Sequence, residues 1–345
     1  MKAAFITDHG KLYQIQVGEL EVPKIGPNEI LIKTKYAALN HLDLFLVKGW
    51  PGLRLSMPHI LGADASGIVE EIGSEVTTHI KGDRVTINPG LSCGKCKACL
   101  SGNQVLCKQF SILGEFQAGT YAQYFKIPEI NALKIPDNYA LDYAAAAPLT
   151  FLTAWRMLTT KANLKRGEYI FIHGAGGGVS NAAIQIAKLL GATVIVSTSS
   201  SEKIEKAKQI GADFVVNYKE MKDFTKYVYT ELTKKQGIDV VIDSVGMATF
   251  PTSIHLLRSG GRLITCGVTS GPNTKINLTN IFWKHLEIKG STMANQIEFR
   301  DVMEYVFKGE ITPVIDKIFP LEEVKEAEKY LEEGNQFGKI LLKIE

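Results

Sequence analysis

Two different hydrophobic patterns divide the chain. Up to about residue 145, short segments rich in β-forming residues alternate with turn signals such as residues 25–28 and 81–83. Short strands separated by turns in this way are typical of all-β domains, so the pattern predicts an N-terminal β-barrel. The predicted strands cover residues 3–6, 29–34, 67–72, 83–86 and 122–127.

Beyond an alanine-rich stretch with helical spacing at 143–158, apolar strands alternate with helices. The predicted strands are 169–173, 193–198, 214–217, 240–243, 262–266 and 286–289, and the clearest helices are 179–190 and 201–210. Buried strands joined by helices form a parallel sheet that is covered on both faces. Six strands with this rhythm predict an α/β, doubly wound dinucleotide fold.

The chain end returns to shorter elements. We expect a helix at 298–308, a strand, a helix at 322–333 and an apolar strand at 339–344 that rejoins the barrel. The predicted domains are therefore 1–149 with 291–345, which includes a cysteine lobe at 92–108, and an inserted dinucleotide domain at 150–290. A length of 345 residues agrees with two domains, because single cores stop growing at about 250–300 residues.

Composition narrows the function classes. Apolar residues make up 45% of the chain, charged residues 22%, and the net charge is +3, with no basic tail. These values argue against nucleic-acid and membrane-surface partners and favour a small-molecule substrate. The first residues do not resemble a signal peptide, and no segment has the roughly 18–20 apolar residues of a membrane span. We therefore expect a cytoplasmic protein.

Four of the five cysteines lie within fifteen positions, at Cys93, Cys96, Cys99 and Cys107. Four thiolates at this spacing can surround one zinc ion, and they leave no open coordination position, so the lobe predicts one structural zinc per subunit. A reactive dithiol or an iron–sulfur cluster is the alternative, but the proline that often follows iron–sulfur cysteines is missing. Cys266 stands apart and is interpreted as a packed residue.

A glycine-rich loop follows the first strand of the dinucleotide domain. It comprises Gly174, Gly176, Gly177, Gly178 and Val179, and a helix begins there. Glycines let the backbone approach a pyrophosphate at the helix N-terminus, so these residues are predicted cofactor contacts. Ser180 takes the place of the last glycine of the usual motif and is small enough to do so.

The end of the second strand bears on the choice of cofactor. NAD-specific sites place an acid there, whereas this chain has a serine run at 199–201 followed by Glu202 and Lys203. Hydroxyl groups and Lys203 can hold a 2′-phosphate, which favours NADP(H) over NAD(H). The serines also suit a simple helix cap, so that structural interpretation stays open.

These features together resemble the medium-chain dehydrogenase/reductase superfamily, in its zinc-containing alcohol dehydrogenase-like and quinone oxidoreductase-like subgroup. The resemblance runs along almost the whole chain and rests on residues 60–69, 82–85, 93–107, 119–122, 147–150, 191–192, 211–213 and 338–339. It implies a GroES-like β-barrel catalytic domain beside a Rossmann domain, with the active site in the cleft between them, and a homodimer or homotetramer formed partly by strands around 286–292.

The sequence departs from this family at the catalytic zinc. The positions of the three ligands fall on Asn40, Ala63 and Phe151, and the position of the hydroxyl that relays the alcohol proton falls on Leu42. Because a catalytic zinc needs about three protein ligands, the matched positions predict that it is missing.

Asparagine at the first position resembles the quinone oxidoreductase branch, which works without a catalytic metal. In that branch the 2′-phosphate contacts would fall on Ser199, Lys203 and Tyr218, and Gly267 is a further predicted cofactor contact. Members of the branch often lack the four-cysteine lobe, which this chain keeps.

A site without zinc suits a particular kind of acceptor. Hydride addition to an enone or quinone gives a delocalised enolate or phenolate, which hydrogen bonds can stabilise. The predicted catalytic residues are Asn40 as a donor near the substrate oxygen, His41 near the cofactor pyrophosphate, Asp43 and Asp64 as orienting acids, and Thr150 as a candidate proton source. For His41 and the two acids, purely structural roles stay open.

Two other functions compete with zinc-free hydride transfer. One is a true zinc-dependent alcohol dehydrogenase whose ligands are His41, His59 and Asp64. The other is a non-enzymatic NADPH-binding protein.

Overall fold

The computed structural model describes residues 1–345, and the chain folds as two compact units. Met1–Leu149 and Ala294–Glu345 form the first unit, and Thr150–Met293 forms the second. Residues 291–293, which the sequence places with the barrel, group with the second unit.

The strands are β1 Lys2–Ile6, β2 Gln16–Glu19, β3 Glu29–Ala38, β4 His59–Ile60, β5 Asp64–Ile72, β6 Arg84–Ile87, β7 Gly90–Leu91, β8 Ser111–Ile112, β9 Tyr124–Pro128, β10 Ala132–Lys134, β11 Tyr169–Ile172, β12 Thr193–Thr198, β13 Phe214–Asn217, β14 Ile238–Asp243, β15 Leu257–Thr265, β16 Glu287–Gly290, β17 Ile315–Pro320 and β18 Lys339–Lys343. The helices are α1 His41–Lys48, α2 Lys97–Leu100, α3 Leu141–Ala146, α4 Pro148–Arg156, α5 Gly178–Leu189, α6 Glu202–Gln209, α7 Phe224–Tyr227, α8 Phe250–Leu256, α9 Leu278–Trp283, α10 Gln296–Phe307 and α11 Val324–Glu332. Three shorter helical stretches adjoin these helices. The π-turns Met157–Lys161 and Val228–Leu232 extend α4 and α7, and the 3-10 turn Leu321–Glu323 precedes α11.

A curved β-sheet organises the first unit. Its strand order is β10-β6-β5-β3-β18-β17, and β9 also pairs with β3. The long β3 is central because its alternating apolar residues, such as Ile30 and Ile32, are fully buried against Val69, Phe125 and their neighbours. The C-terminal strand β18 runs antiparallel to β3 and so brings the end of the chain beside residues 36–38.

Helices α1 and α11 close one side of this unit. Leu44 and Val47 of α1 pack in one apolar cluster with Val324 and Leu331 of α11. This packing fixes where α1 begins, and Asn40 and His41 lie at that point. The sequence missed α1 because its apolar residues run almost continuously and lack helical periodicity.

The second unit confirms the predicted α/β fold. All six strands are parallel, in the order β13-β12-β11-β14-β15-β16. Relative to β11 as the first strand, this is the 3-2-1-4-5-6 order of the dinucleotide fold. The carboxyl ends of β11, β12, β14 and β15 therefore lie along one edge of the sheet. No helix in the described chain is long and apolar enough to cross a membrane.

Candidate active site and metal lobe

The cysteine lobe lies between β7 and β8. Its four sulfur atoms lie within 4.8 Å of one another, and the Sγ–Sγ distances include 3.5, 3.6 and 3.9 Å. A zinc tetrahedron with ~2.3 Å bonds has edges of about 3.8 Å, so the lobe fits one tetrahedral metal ion. The backbone N–H groups of Lys95 and Cys96 lower the pKa of the Cys93 thiol to about 6.

Asn40 is a buried residue immediately before α1, with its side-chain amide held from both ends. Its Nδ2 donates to Asp64 Oδ2 at 3.0 Å and to the Ala38 carbonyl at 3.2 Å, while its Oδ1 accepts from Lys339 Nζ at 2.7 Å. An ammonium can only donate and a carboxylate can only accept, so these neighbours fix the orientation of the amide.

The predicted role of Asn40 as a donor to the substrate oxygen needs correction. Both amide hydrogens point to acceptors within the protein, which leaves no free donor on this side chain. Asn40 instead connects an anion to a cation inside the first unit.

Lys339 supplies that cation, although no role was predicted for it from its sequence position. Its Nζ donates to the Leu39 carbonyl at 2.7 Å, to Asn40 and to Asp64 Oδ2 at 3.2 Å. All three ammonium hydrogens are therefore used. The exposed fractions of the Lys339 and Asp64 side chains are only 4% and 0%, so this is a buried ion pair. The only sequence signal was the Gly-Lys pair at 338–339.

Asp64 lies at the start of β5. Besides Lys339 and Asn40, it accepts the Leu149 N–H on its Oδ1 at 2.8 Å. The structure thus pairs this acid with a cation.

Asp43 connects α1 to the strand junction at Gly62. Its Oδ2 accepts the Asn40 N–H at 2.8 Å and the Tyr121 hydroxyl at 2.9 Å, and its Oδ1 accepts the Gly62 N–H at 3.0 Å. Complete burial raises the pKa of Asp43 to about 6, although these donors and the nearby Lys339 charge oppose the rise. Asp43 thereby orients the backbone at Asn40 and at Gly62.

His41 is the first residue of α1 and is half-buried. Burial, followed by the charges of Lys339 and Lys48, lowers its pKa to about 4. The ring is therefore neutral at pH 7. It therefore adds no positive charge to the first unit at this pH.

The alternative zinc ligands do not come together. The Nε2 of His59 lies 2.8 Å from the Gly114 carbonyl, and Asp64 is already paired with Lys339. Across the described chain, the four cysteines are the one group of three or more His, Cys, Asp or Glu side chains close enough to share a metal ion. Ala63 at the second ligand position has no donor atom for a metal.

Thr150 and Phe151 belong to the second unit, near the start of α4, and both are buried. Phe151, at the third ligand position, is 2% exposed and has no atom that could bind a metal. These two residues follow Pro148, which is well placed at the beginning of the helix.

The glycine-rich loop turns from β11 into α5. Gly174 has a φ of +69°, and a Cβ there would meet nothing within 4 Å, so open space lies above the loop. The Ala175 N–H donates to the Ser197 carbonyl at 2.9 Å, and the Ser180 hydroxyl donates to the His173 carbonyl at 2.7 Å. Gly176, Gly177, Gly178 and Val179 continue the turn into the first residues of the helix. This geometry fits a pyrophosphate at a helix N-terminus.

The predicted 2′-phosphate residues lie at the ends of two paired strands. Thr198 of β12 is in register with Asn217 of β13, and the next residues along each strand are Ser199 and Tyr218. The Tyr218 N–H donates to the Thr198 carbonyl at 3.1 Å, and the half-buried Lys203 lies in the first turn of α6. No carboxylate stands at the tip of β12.

Gly267 follows β15 at the same edge of the sheet. A Cβ there would come within 3.0 Å of the Ser244 carbonyl. A larger residue would therefore push the loop outward at the end of the strand.

Comparisons with known proteins agree with this architecture. The Alcohol dehydrogenase GroES-like domain model matches residues 26–137, and the Zinc-binding dehydrogenase model matches residues 178–308. A zinc-type alcohol dehydrogenase-like protein of Schizosaccharomyces pombe is 34% identical over 96% of both chains. The chain belongs to the zinc-type alcohol dehydrogenase-like family of medium-chain dehydrogenases/reductases. As a medium-chain dehydrogenase/reductase, it is an NAD(P)-dependent oxidoreductase.

Two further relatives differ in their described activities. A crystal structure titled as an NAD-dependent alcohol dehydrogenase is 42% identical, covers 100% of both chains and has a TM-score of 0.96. An acryloyl-coenzyme A reductase of Sulfurisphaera tokodaii is 31% identical and covers 99% of this chain and 100% of its own. The names of similar proteins in this family thus describe both an alcohol dehydrogenase and a reductase of a conjugated thioester.

Proposed function

We propose that this enzyme uses NADPH to reduce a carbon–carbon double bond conjugated to a carbonyl group, without a catalytic zinc. The acceptor class comprises enones, quinones and unsaturated acyl thioesters. The observation that carries the proposal is the replacement of the three zinc-ligand positions by Asn40, Ala63 and Phe151. The description of an acryloyl-coenzyme A reductase among the relatives supports the same acceptor class.

The charges of the first unit favour a delocalised product. Lys339 is the cation beside Asn40, and its three hydrogens are already bound, one of them by Asp64. The cluster of Asn40, Asp64 and Lys339 thus offers no free positive charge to a localised alkoxide. Metal-dependent relatives stabilise such an alkoxide with a Lewis acid. An enolate spreads its charge over several atoms and needs less stabilisation.

In the proposed reaction, NADPH held by the glycine-rich loop at 174–179 and by the strand ends at Ser199 and Tyr218 would supply the hydride that adds to the β-carbon. The double-bond electrons move onto the carbonyl oxygen as an enolate, and a proton then adds at the α-carbon. Solvent or the Thr150 hydroxyl is the proposed proton source. For an enone or acyl thioester, the net change is NADPH plus H⁺ plus the unsaturated compound to NADP⁺ plus the saturated one; for a quinone, the product is the hydroquinone.

The proposed cofactor residues are those of the second unit. Backbone groups from Gly174 to Val179 would bind the pyrophosphate, and Gly267 would line the cofactor at the end of β15. Ser199, Lys203 and Tyr218 would hold the 2′-phosphate. In the first unit, the cysteine lobe would hold one structural zinc ion. Lys339, Asp64 and Asp43 would keep the backbone around Asn40 in place.

A substrate screen tests this function. We expect conjugated enones, quinones or acyl thioesters to oxidise NADPH at least about 100-fold more efficiently than saturated ketones, because loss of a Lewis acid costs simple carbonyl reduction several kcal/mol. Treatment with a chelator under mild conditions should leave this activity unchanged. Turnover of alcohols alone, abolished by chelation, would mean a zinc-dependent dehydrogenase, and NADPH binding without any turnover would favour the non-enzymatic alternative.

Replacing Ser199 by aspartate tests the choice of cofactor. The new carboxylate would repel a 2′-phosphate and accept hydrogen bonds from the ribose hydroxyls of NADH. We expect the ratio of kcat/KM with NADPH to that with NADH to fall by about 10- to 150-fold, the value of one charge-assisted hydrogen bond of ~1.5–3 kcal/mol. Lys203→Ala should shift the ratio in the same direction.

Lys206→Ala is the matched control, since Lys206 lies on the same helix but is paired with Glu202 at 2.8 Å on the exposed surface. Its ratio should equal that of the unaltered enzyme. If unaltered enzyme already prefers NADH, or if Ser199→Asp leaves the ratio unchanged, the proposed 2′-phosphate site is wrong.

A further inference from the structure

A second buried chain of polar side chains extends from Asp43 to the C-terminal helix. Tyr121 lies between two acids, with its hydroxyl oxygen 2.9 Å from Asp43 Oδ2 and 3.3 Å from Glu328 Oε1. All three side chains are fully buried. Glu328 belongs to α11 and takes no part in the proposed reaction.

Proton counting shows that the two acids differ. A phenol has one hydrogen and can donate to only one of its two neighbours. If both acids were ionised, one of the two oxygen–oxygen contacts, at 2.9 and 3.3 Å, would contain no hydrogen. A proton on one carboxyl group, donated to the Tyr121 oxygen, supplies a hydrogen to both contacts.

The surroundings identify which acid carries the proton. Asp43 accepts two backbone N–H groups as well as the phenol, and all of these stabilise its charged form. The Glu328 carboxyl group has a hydrogen bond only with Tyr121, through Oε1, and its Oε2 is buried without a hydrogen-bond partner. An ionised carboxylate in that position would be far more costly than a neutral acid.

Burial and the nearby negative charges also favour the protonated form of Glu328. Burial comes first, followed by the negative charge of Asp43 on α1 and that of Glu332 on the same helix, and these raise the pKa of Glu328 well above its usual value. The hydrogen bond with Tyr121 and the positive charge of Lys339 on β18 oppose the rise but do not cancel it.

We infer that Glu328 is a positioning residue that stays protonated in the folded protein and donates its proton to Tyr121, so that the phenolic hydrogen holds Asp43 against the backbone of Asn40 and Gly62. The carboxyl group on α11 thereby controls the start of α1. Loss of its proton at alkaline pH would place two buried negative charges around one phenol and loosen the ties that Asp43 makes.

The test counts the protons released when the protein unfolds at pH 7 in weak buffer. An unfolded glutamate is ionised at this pH, so a protonated Glu328 must release its proton. We expect the unaltered chain to release about one proton more than Glu328→Gln, whose amide still donates to Tyr121 but cannot titrate. Between pH 5 and 8, the unfolded-to-folded ratio of the unaltered chain relative to this variant should rise about tenfold per pH unit.

Glu332→Gln is the control. Glu332 is exposed on the same helix and pairs with Lys48 at 2.7 Å, so it shares none of the burial of Glu328. This variant should release as many protons as the unaltered chain. Equal proton release by the unaltered chain and Glu328→Gln would overturn the inference.

A measurement on the unaltered chain covers the case in which the variant fails to fold. With ¹³C-labelled glutamate, the infrared spectrum at pH 8 should contain the C=O band of one protonated glutamic acid, and its absence would also overturn the inference. Neither experiment depends on the substrate. If the proposed activity is found, the alkaline decline of kcat/KM in the unaltered enzyme should disappear in Glu328→Gln, and its persistence would contradict the positioning role.

Discussion

Replacing Lys339 by methionine is expected to lower the free energy of unfolding of the first unit by about 3–5 kcal/mol, the usual cost of leaving one member of a buried ion pair without its partner. Methionine keeps much of the length and apolar volume of lysine, so the effect comes mainly from the charge. In the variant, Asp64 loses its cation, and Asn40 Oδ1 and the Leu39 carbonyl lose their donors. Urea unfolding followed by circular dichroism, with hydrogen exchange in β3 and β18 to identify the unit, measures the change.

Two further variants separate charge burial from a general defect. Lys343→Met alters the same strand, but Lys343 is exposed and pairs only with the exposed Glu345, so its effect should stay below about 1 kcal/mol. The double variant Lys339→Met with Asp64→Asn removes both buried charges and should recover most of the lost stability. An equally large loss in Lys343→Met, or no recovery in the double variant, would rule out the ion pair as the cause.

The sequence predicted the second unit well for a physical reason. Its strands are apolar on both faces and its helices are amphipathic, so each element has a strong local pattern, and β12 and β13 have the expected bounds. The glycine-rich loop is likewise local, because its residues are consecutive. The predicted helix boundaries were wrong where apolar residues continue through a turn, as at α1, and where α3 and α4 separate at Ala147.

The polar cluster around Asn40 could be predicted only in part. Asn40 and Asp64 stand at positions that family motifs single out, whereas Lys339 lies 299 residues from Asn40 and reaches it because β18 pairs with β3. No local pattern reports such a contact. The direction of the Asn40 amide depends on Lys339, which the local sequence does not show. The amide hydrogens were therefore predicted to bind a substrate oxygen, whereas they donate to Asp64 and the Ala38 carbonyl.

The two polar chains meet at the start of α1. Asp64, Asn40 and Lys339 form one, and Asp43, Tyr121 and Glu328 form the other, with the Asn40 backbone bonded to Asp43. Of the three positions that the family resemblance assigns to metal ligands, Asn40 alone belongs to this network. Its side-chain amide is held at both ends by hydrogen bonds within the protein, and the proposed chemistry would use that fixed position.

Replacing Cys107 by serine is expected to remove the metal from the cysteine lobe. Purified unaltered protein should contain about one zinc ion per chain, and the variant about none, since a structural site needs its four ligands. Zinc binding stabilises small metal lobes by as much as about 10–16 kcal/mol, so the lobe at 92–108 should lose its order and become sensitive to proteases. Metal analysis and limited proteolysis measure both effects.

Cys266→Ser is the control for this metal site, because Cys266 follows β15 in the second unit and is apart from the cluster. It should keep the zinc. About two zinc ions per unaltered chain, with one remaining in Cys107→Ser, would reveal a second metal site and contradict the zinc-free reaction. If instead the lone zinc is lost while NADPH oxidation by an enone persists at low temperature, the metal stabilises the lobe and takes no part in hydride transfer.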